Sequence, residues 1–175
     1  AVFVENWGPR AAFAVSGAAF VALAFPALPG VWSPYYFIQH VASKNGVRVY
    51  VNSSFHQQLV NFTSTGPAPL QKHLREEWGR PYILYRQIHS GQGPRRVLVL
   101  GAGTGNDVVM ALEQGAEKVT AVEIDPRIQS RGRDLNPSRP YQDPPVRVAN
   151  DDARHFLRTS PEQYDLIVFG TLDSQ

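Results

Sequence analysis

The chain has 175 residues, 43% of them hydrophobic, which is enough for one globular domain with a substantial core. It contains no cysteine, which excludes a disulfide scaffold and a thiolate metal site. The formal net charge is only +2 and the basic residues are scattered, so the sequence predicts no nucleic-acid partner and no basic membrane-binding surface.

Residues 1–30 are predicted to form a separate apolar amino-terminal segment. Residues 11–28 carry no charged side chain and are rich in Ala, Phe and Val. This length lies between that of a membrane span and that of a buried helix, and Pro26 would interrupt a helix near its end. Two interpretations stay open: a membrane helix or its remnant, and a core helix.

Residues 31–62 are predicted to form a small antiparallel β unit. Val47–Val51 alternates like a half-exposed strand, and the pair Asn45-Gly46 before it is typical of a hairpin turn. The polar run His56–Gln58 is placed to reach over a ligand.

A helical connection follows, and with it the amino-terminal domain is predicted to cover residues 31–90. Leu70–Trp78 is typical of one helix, and Pro81–Ile88 is typical of a second that begins with proline. The next residues, Ser90–Arg96, contain two glycines and a proline and are predicted to be a linker.

The central motif begins with Val97–Leu100, an apolar run typical of a strand buried on both faces of a parallel sheet. Gly101, Gly103 and Gly105 follow it and allow the backbone to turn sharply and approach a ligand closely. A helix is predicted to start at Asn106. Strand, glycine turn and helix together indicate half of a nucleotide pocket.

The second half of this pocket is predicted at Glu123, just after the next strand, Val119–Val122. An acidic side chain about 20 residues beyond the glycines is placed to accept both ribose hydroxyls. Asn106 occupies the position where dinucleotide motifs have a third Gly or Ala, which argues against a pyrophosphate. The pattern favours a ligand with ribose and adenine but no phosphate, such as S-adenosylmethionine or a relative.

Alternating helices and strands continue to the end of the chain, with strands predicted at Val146–Ala149 and Tyr164–Phe169. Right-handed crossovers would bring the glycine turn, Glu123, Asp152 and Asp173 to one edge of a parallel sheet. The predicted fold class is α/β, with a Rossmann-like parallel sheet. Residues 91–175 are predicted to supply only its first half, so that the sheet is incomplete at the carboxyl terminus.

Five motifs follow one another along the chain: Trp32–Tyr35, Gly101–Asp107, Val122–Asp125, Asn150–Arg154 and Tyr164–Ile167. In this order they resemble the spermidine synthase family, the polyamine aminopropyltransferases. The resemblance is to its bacterial branch, in which a hydrophobic membrane part precedes the catalytic domain. It implies transfer of an aminopropyl group from decarboxylated S-adenosylmethionine to a diamine such as putrescine, without a metal, in a homodimer. It also implies that the parallel sheet belongs to an S-adenosylmethionine-dependent methyltransferase-like fold. Because the cofactor is made inside cells, we expect a cytoplasmic domain, attached to the inner membrane if residues 11–28 span it.

Position by position, the resemblance implies a set of cofactor-binding residues. Glu123 would hold the ribose hydroxyls, and Asp152 with Ala153 would face the adenine. The remaining members would line the cofactor: Gly101, Gly103, Gly105 and Asp107.

The sequence departs from the family pattern at two carboxylates. Thr104 stands where the pattern has an Asp within the glycine turn, and Gly170 stands where it has an Asp directly after the fourth strand. Asp107 and Asp173 are near substitutes. Asp173 is the candidate catalytic residue, because a carboxylate must orient the diamine and take its proton.

Two further functions stay open. The loss of the two carboxylates favours an S-adenosylmethionine-dependent methyltransferase on the same fold, with S-adenosylmethionine itself as cofactor. The apolar amino terminus is also compatible with a non-catalytic nucleoside-binding domain of a membrane protein. The five histidines have no metal-ligand spacing, so no metal site is predicted.

Overall fold

The computed structural model describes residues 29–43, 46–62 and 68–170. The chain divides into two units, Ala1–Gly30 and Val31–Gln175. The apolar segment 11–28 and the catalytic candidate Asp173 both lie outside the described residues. Of the helices within these ranges, none combines the length and the apolar character that crossing a membrane requires.

The first sheet is antiparallel and has the strand order β1-β2-β3-β4, which confirms the predicted β unit. Its inner face packs Ile38, Val49 and Leu59 against Ile128 of a later helix. The antiparallel sheet is therefore joined to the following fold by a shared apolar core. The strands are β1 (Val31–Trp32), β2 (Phe37–Ser43), β3 (Gly46–Val51) and β4 (Ser54–Val60).

A single helix, α1 (Ala68–Ile88), replaces the two helices predicted here, and Pro81 lies inside it. The prediction of a break was wrong because Leu74, Trp78 and Tyr82 continue one apolar face across the proline and pack on the core. A proline inside a helix costs about 3 kcal/mol. Burial of three large side chains offsets that cost.

The second sheet is parallel, with the order β7-β6-β5-β8, and three helices connect its strands. This confirms the predicted α/β fold class. Because β8 returns to the other side of β5, the strand order reverses beside β5, which is where open α/β sheets bind ligands. The elements are β5 (Arg96–Leu100), α2 (Asn106–Glu113), β6 (Lys118–Glu123), α3 (Pro126–Leu135), β7 (Val146–Asn150), α4 (Ala153–Thr159) and β8 (Leu166–Phe169).

Asn106 connects the two sheets through its side chain. Its Oδ1 accepts a hydrogen bond from the Val60 backbone N–H at 3.1 Å, and its Nδ2 donates to the Gln58 carbonyl at 2.7 Å. Both partners lie on β4, the edge strand of the antiparallel sheet. The first residue of α2 thus provides hydrogen-bond partners for backbone groups at the edge of the antiparallel sheet.

We expect Asn106→Ala to lower the free energy of unfolding by about 2 kcal/mol, because it leaves a buried N–H and a carbonyl of β4 without partners. Urea unfolding followed by circular dichroism measures the change. Gln163→Ala, which truncates an exposed amide, is the control and should stay within about 0.5 kcal/mol of the wild type. Equal losses in both variants would contradict the connecting role of Asn106.

Candidate functional site

The glycine turn after β5 has the left-handed backbone that the sequence predicts, with φ of 67° at Gly101, 55° at Gly103 and 94° at Gly105. Side chains are excluded by neighbours as well as by the backbone. A Cβ on Gly103 would lie 2.6 Å from Gln57 Oε1, and one on Gly105 would lie 2.6 Å from Pro140 Cγ. The close neighbours of Gly105 are therefore side chains of the protein itself.

Two buried side chains that the sequence did not single out hold this turn in place. The Tyr141 hydroxyl donates to the carbonyls of Ala102 at 3.1 Å and Gly103 at 2.7 Å. Asn136 Nδ2 donates to the Thr104 carbonyl at 3.0 Å. Burial raises the pKa of Tyr141 well above its usual value, so the hydroxyl keeps its proton. Asn136 directly follows α3 and Tyr141 lies in a short 3-10 helix, Pro140–Gln142. This part of the sequence has no clear periodicity, so no local signal indicated either residue.

Glu123 lies at the carboxyl end of β6, against the glycine turn. Its Oε2 accepts from the Gly103 N–H at 2.8 Å and its Oε1 from the Asp125 N–H at 2.9 Å. The side chain is only 5% exposed. Burial raises the pKa of Glu123, and the two backbone N–H groups act in the opposite direction. The sheet thus brings together the two parts of the predicted nucleoside site.

A cavity of about 180 Å³ opens beside Glu123, and both sheets contribute to its wall. Asp152 and Ala153, predicted to face adenine, line it at the start of α4. Asp152 Oδ1 also caps that helix, accepting from the N–H groups of Arg154 at 3.0 Å and His155 at 2.9 Å. The other lining residues are Tyr35, Tyr36, His56, Gly101, Val122, Ile124, Ile128 and Asp151.

Asp107 lines a different, larger cavity of about 430 Å³. The structure therefore separates it from the Glu123 and Asp152 side of the site. The wall of the larger cavity is mostly aromatic, aliphatic and amide in character. Its other residues are Phe55, His56, Gln57, Gln58, Val60, Leu74, Trp78, Ala102 and Asn106.

The Asp107 side chain is partly buried, and this burial raises its pKa to about 6. Its own backbone N–H acts in the opposite direction. Throughout the described ranges, no Lys, Arg or His forms an ion pair with it. At neutral pH the larger cavity therefore holds an ionised carboxylate with no ion-pair partner among the described side chains.

Gln57 of β4 belongs to the polar run that the sequence places over a ligand, and in the structure it contacts the glycine turn. Its Oε1 accepts from the Thr104 N–H at 3.1 Å and from the Thr104 hydroxyl at 2.9 Å. Thr104 is completely buried. The hydroxyl at this position is thus used to attach the turn to the antiparallel sheet.

Within the described ranges, no group of three or more His, Asp or Glu side chains is arranged to hold a metal ion.

Comparison with known proteins gives consistent matches. Residues 83–175 match the family model of the spermine/spermidine synthase domain. "Polyamine aminopropyltransferase 2" of Ralstonia nicotianae is 30% identical over 144 residues, which cover 78% of this chain and 25% of that protein. This chain thus spans a quarter of the length of that relative.

Two solved structures share the fold. Spermidine synthase from Thermotoga maritima gives a TM-score of 0.62 at 16% identity, covering 83% of this chain and 48% of that one. A spermidine synthase in complex with the transition state analogue AdoDATO gives 0.58 at 16% identity, covering 80% and 46%.

The raised pKa of Asp107 makes the stability of the protein depend on pH. Because the folded state holds this proton more tightly than the unfolded state, stability falls as pH rises from about 4 to about 6 and does not recover above that. We therefore expect Asp107→Asn to be more stable than the wild type by about 1–3 kcal/mol at pH 8. The difference should shrink towards pH 4.

Urea unfolding at pH 4.5 and pH 8 measures both differences. Asp134→Asn removes an exposed carboxylate on α3 and is the control, with no such pH-dependent gain. A gain for Asp107→Asn that is equal at both pH values would contradict the raised pKa.

Proposed function

The chain belongs to the spermine/spermidine synthase family, and on this premise we propose that the protein is a spermidine synthase-like aminopropyltransferase. It moves an aminopropyl group from decarboxylated S-adenosylmethionine to a diamine such as putrescine. The observation that carries the proposal is the Glu123 carboxylate, held against the glycine turn beside a cavity at the carboxyl ends of β5, β6 and β7.

The residues around the smaller cavity suit the nucleoside part of this donor. Each Glu123 oxygen accepts one backbone N–H and keeps a lone pair for a ribose hydroxyl. Asp152 offers an acceptor for the adenine amino group, and Ala153 leaves room for the ring. Gly101, in the same wall, brings backbone rather than a side chain to the ligand.

The bound donor supplies a carbon made electrophilic by the neighbouring sulfonium, with a neutral thioether as leaving group. The protein has to orient the amine towards that carbon and take up a proton. Tyr35, Tyr36 and His56 line the smaller cavity from the side of the antiparallel sheet. Asp173 is the carboxylate that the sequence proposes for the diamine, and that role stays a prediction.

The assembly and location of the protein are also proposals. We infer a homodimer from the family resemblance. Cytoplasmic placement follows from a donor that is made inside cells. Attachment to the inner membrane depends on the apolar segment 11–28.

A methyltransferase on the same fold is the second candidate, and Thr104 favours it. With a neutral, buried residue at this position, the glycine turn does not repel the carboxylate of intact S-adenosylmethionine. The choice between the two candidates therefore depends on which donor reacts.

We expect the full-length protein to release methylthioadenosine when incubated with decarboxylated S-adenosylmethionine and putrescine, and not when the diamine is omitted. Mass spectrometry of the nucleoside product makes the measurement. Parallel reactions contain S-adenosylmethionine and candidate acceptors. S-adenosylhomocysteine as the product would assign the protein to methyl transfer. Neither product, with nucleoside binding intact, would indicate a non-catalytic nucleoside-binding domain.

We expect Glu123→Gln to weaken methylthioadenosine binding about 10- to 100-fold, because an amide replaces charged acceptors of the ribose hydroxyls. Isothermal titration calorimetry measures the affinity. Glu117→Gln, at the opposite end of β6 and exposed, is the matched control and should bind as the wild type does. Equal affinity in the two variants would refute the ribose role.

A further inference from the structure

The carboxylate of Asp107 lies between two elements that the sequence does not bring together, α1 and the end of β8. Besides the larger cavity, it lines a cavity of about 220 Å³ formed with Glu77, Trp78, Val168 and Phe169. Asp107 therefore lies on α2, and its side chain faces the carboxyl end of β8. Parallel sheets bind ligands at the carboxyl ends of their strands.

Gly170 provides the space for this carboxylate. It follows β8 directly, and its N–H donates to the Leu100 carbonyl at 2.8 Å. A Cβ on Gly170 would lie 2.9 Å from Asp107 Oδ2 and 2.6 Å from the Gly101 carbonyl oxygen. A side chain at position 170 and the observed position of the Asp107 carboxylate are mutually exclusive.

Asp107 is the only acidic residue in the described wall of the larger cavity. Thr104 is neutral and already hydrogen-bonded to Gln57. The aromatic rings of Phe55 and Trp78 lie in the same wall. A single carboxylate among aromatic and aliphatic groups suits a ligand that carries an ammonium group on a methylene chain.

We propose that Asp107 binds the amine of the acceptor substrate and accepts the proton that this amine loses on reaction. The inference rests on the proposed aminopropyl transfer. The family resemblance assigned Asp107 to cofactor binding, and the proposal assigns it to binding of the acceptor amine instead.

The step balances without any further reactant. The bound ammonium first releases one proton to solvent water and becomes a neutral amine. The amine nitrogen then forms a bond to the propyl carbon of the donor, and the bond between that carbon and the sulfonium sulfur breaks. Sulfur keeps the electron pair and becomes a neutral thioether. The alkylated nitrogen, now positively charged, gives one proton to the Asp107 carboxylate.

The groups around Asp107 allow its titration to be followed. Burial raises the pKa of Tyr82, and the pKa of Tyr141 is likewise raised, so both phenols stay neutral. Glu77 interacts with His73 on α1, with Nε2 and Oε1 3.6 Å apart. His56 lines the larger cavity as well, so the readout has to be specific to Asp107.

Two measurements on the full-length protein test the proposal. The first is kcat/KM for putrescine in the wild type, Asp107→Asn, Asp173→Asn and the exposed control Asp134→Asn. We expect Asp107→Asn to lose about 100-fold or more while keeping wild-type affinity for methylthioadenosine, and Asp134→Asn to be unchanged. Because Asp107→Asn is expected to be the more stable protein at pH 8, unfolding does not account for such a loss.

The second measurement is the carboxyl 13C titration of Asp107 by NMR, assigned by its absence in Asp107→Asn. With methylthioadenosine bound, adding putrescine should lower the Asp107 pKa by about one unit or more, since an adjacent ammonium favours the carboxylate. This readout does not depend on turnover.

The outcomes separate the inference from the function on which it rests. Wild-type kcat/KM in Asp107→Asn, or loss in Asp173→Asn alone, would overturn the role of Asp107. So would an Asp107 titration that putrescine leaves unchanged. If the wild-type protein produces no methylthioadenosine, aminopropyl transfer is refuted. In that case the NMR titration still tests whether Asp107 binds the amine, because it does not require turnover.

Discussion

The Glu123 carboxylate connects the parts of this fold that must act together. One oxygen accepts from the glycine turn after β5 and the other from the Asp125 N–H at the start of α3. Asp125 in turn caps α3 through its side chain and accepts from the Ser33 hydroxyl at 2.5 Å. A single buried acid thus fixes the distance between two strand ends and links them to the antiparallel sheet. The smaller cavity depends on that spacing.

The antiparallel sheet is part of the site because two polar side chains cross between the sheets. Asn106 satisfies the edge of β4, and Gln57 of β4 accepts two hydrogen bonds from Thr104. Buried polar groups must be paired, so these contacts fix the position of β4 above the glycine turn. Both cavities are lined by residues next to these contacts, His56 among them. The site is therefore a property of the two sheets together.

The distribution of charge distinguishes the two cavities. The smaller one has its carboxylates at the ends of β6 and β7, where hydrogen bonds to backbone N–H groups support the Glu123 and Asp152 side chains. The larger one has Asp107, whose ionised form is destabilised by burial. An ionised group kept in such a position lowers stability, which is typical of groups retained for function. A cationic ligand would remove that cost.

The sequence by itself determined the parallel strands, the glycine turn and the place of Glu123, because strand periodicity, left-handed glycines and strand ends are local features. It did not determine that α1 continues through Pro81, since burial of Tyr82 and Trp78 against distant residues decides that. Tertiary structure alone placed Tyr141 under the turn and Asp107 beside Gly170. Those positions depend on contacts between buried residues that are distant in sequence, and the spacing of residues along the chain does not predict such contacts.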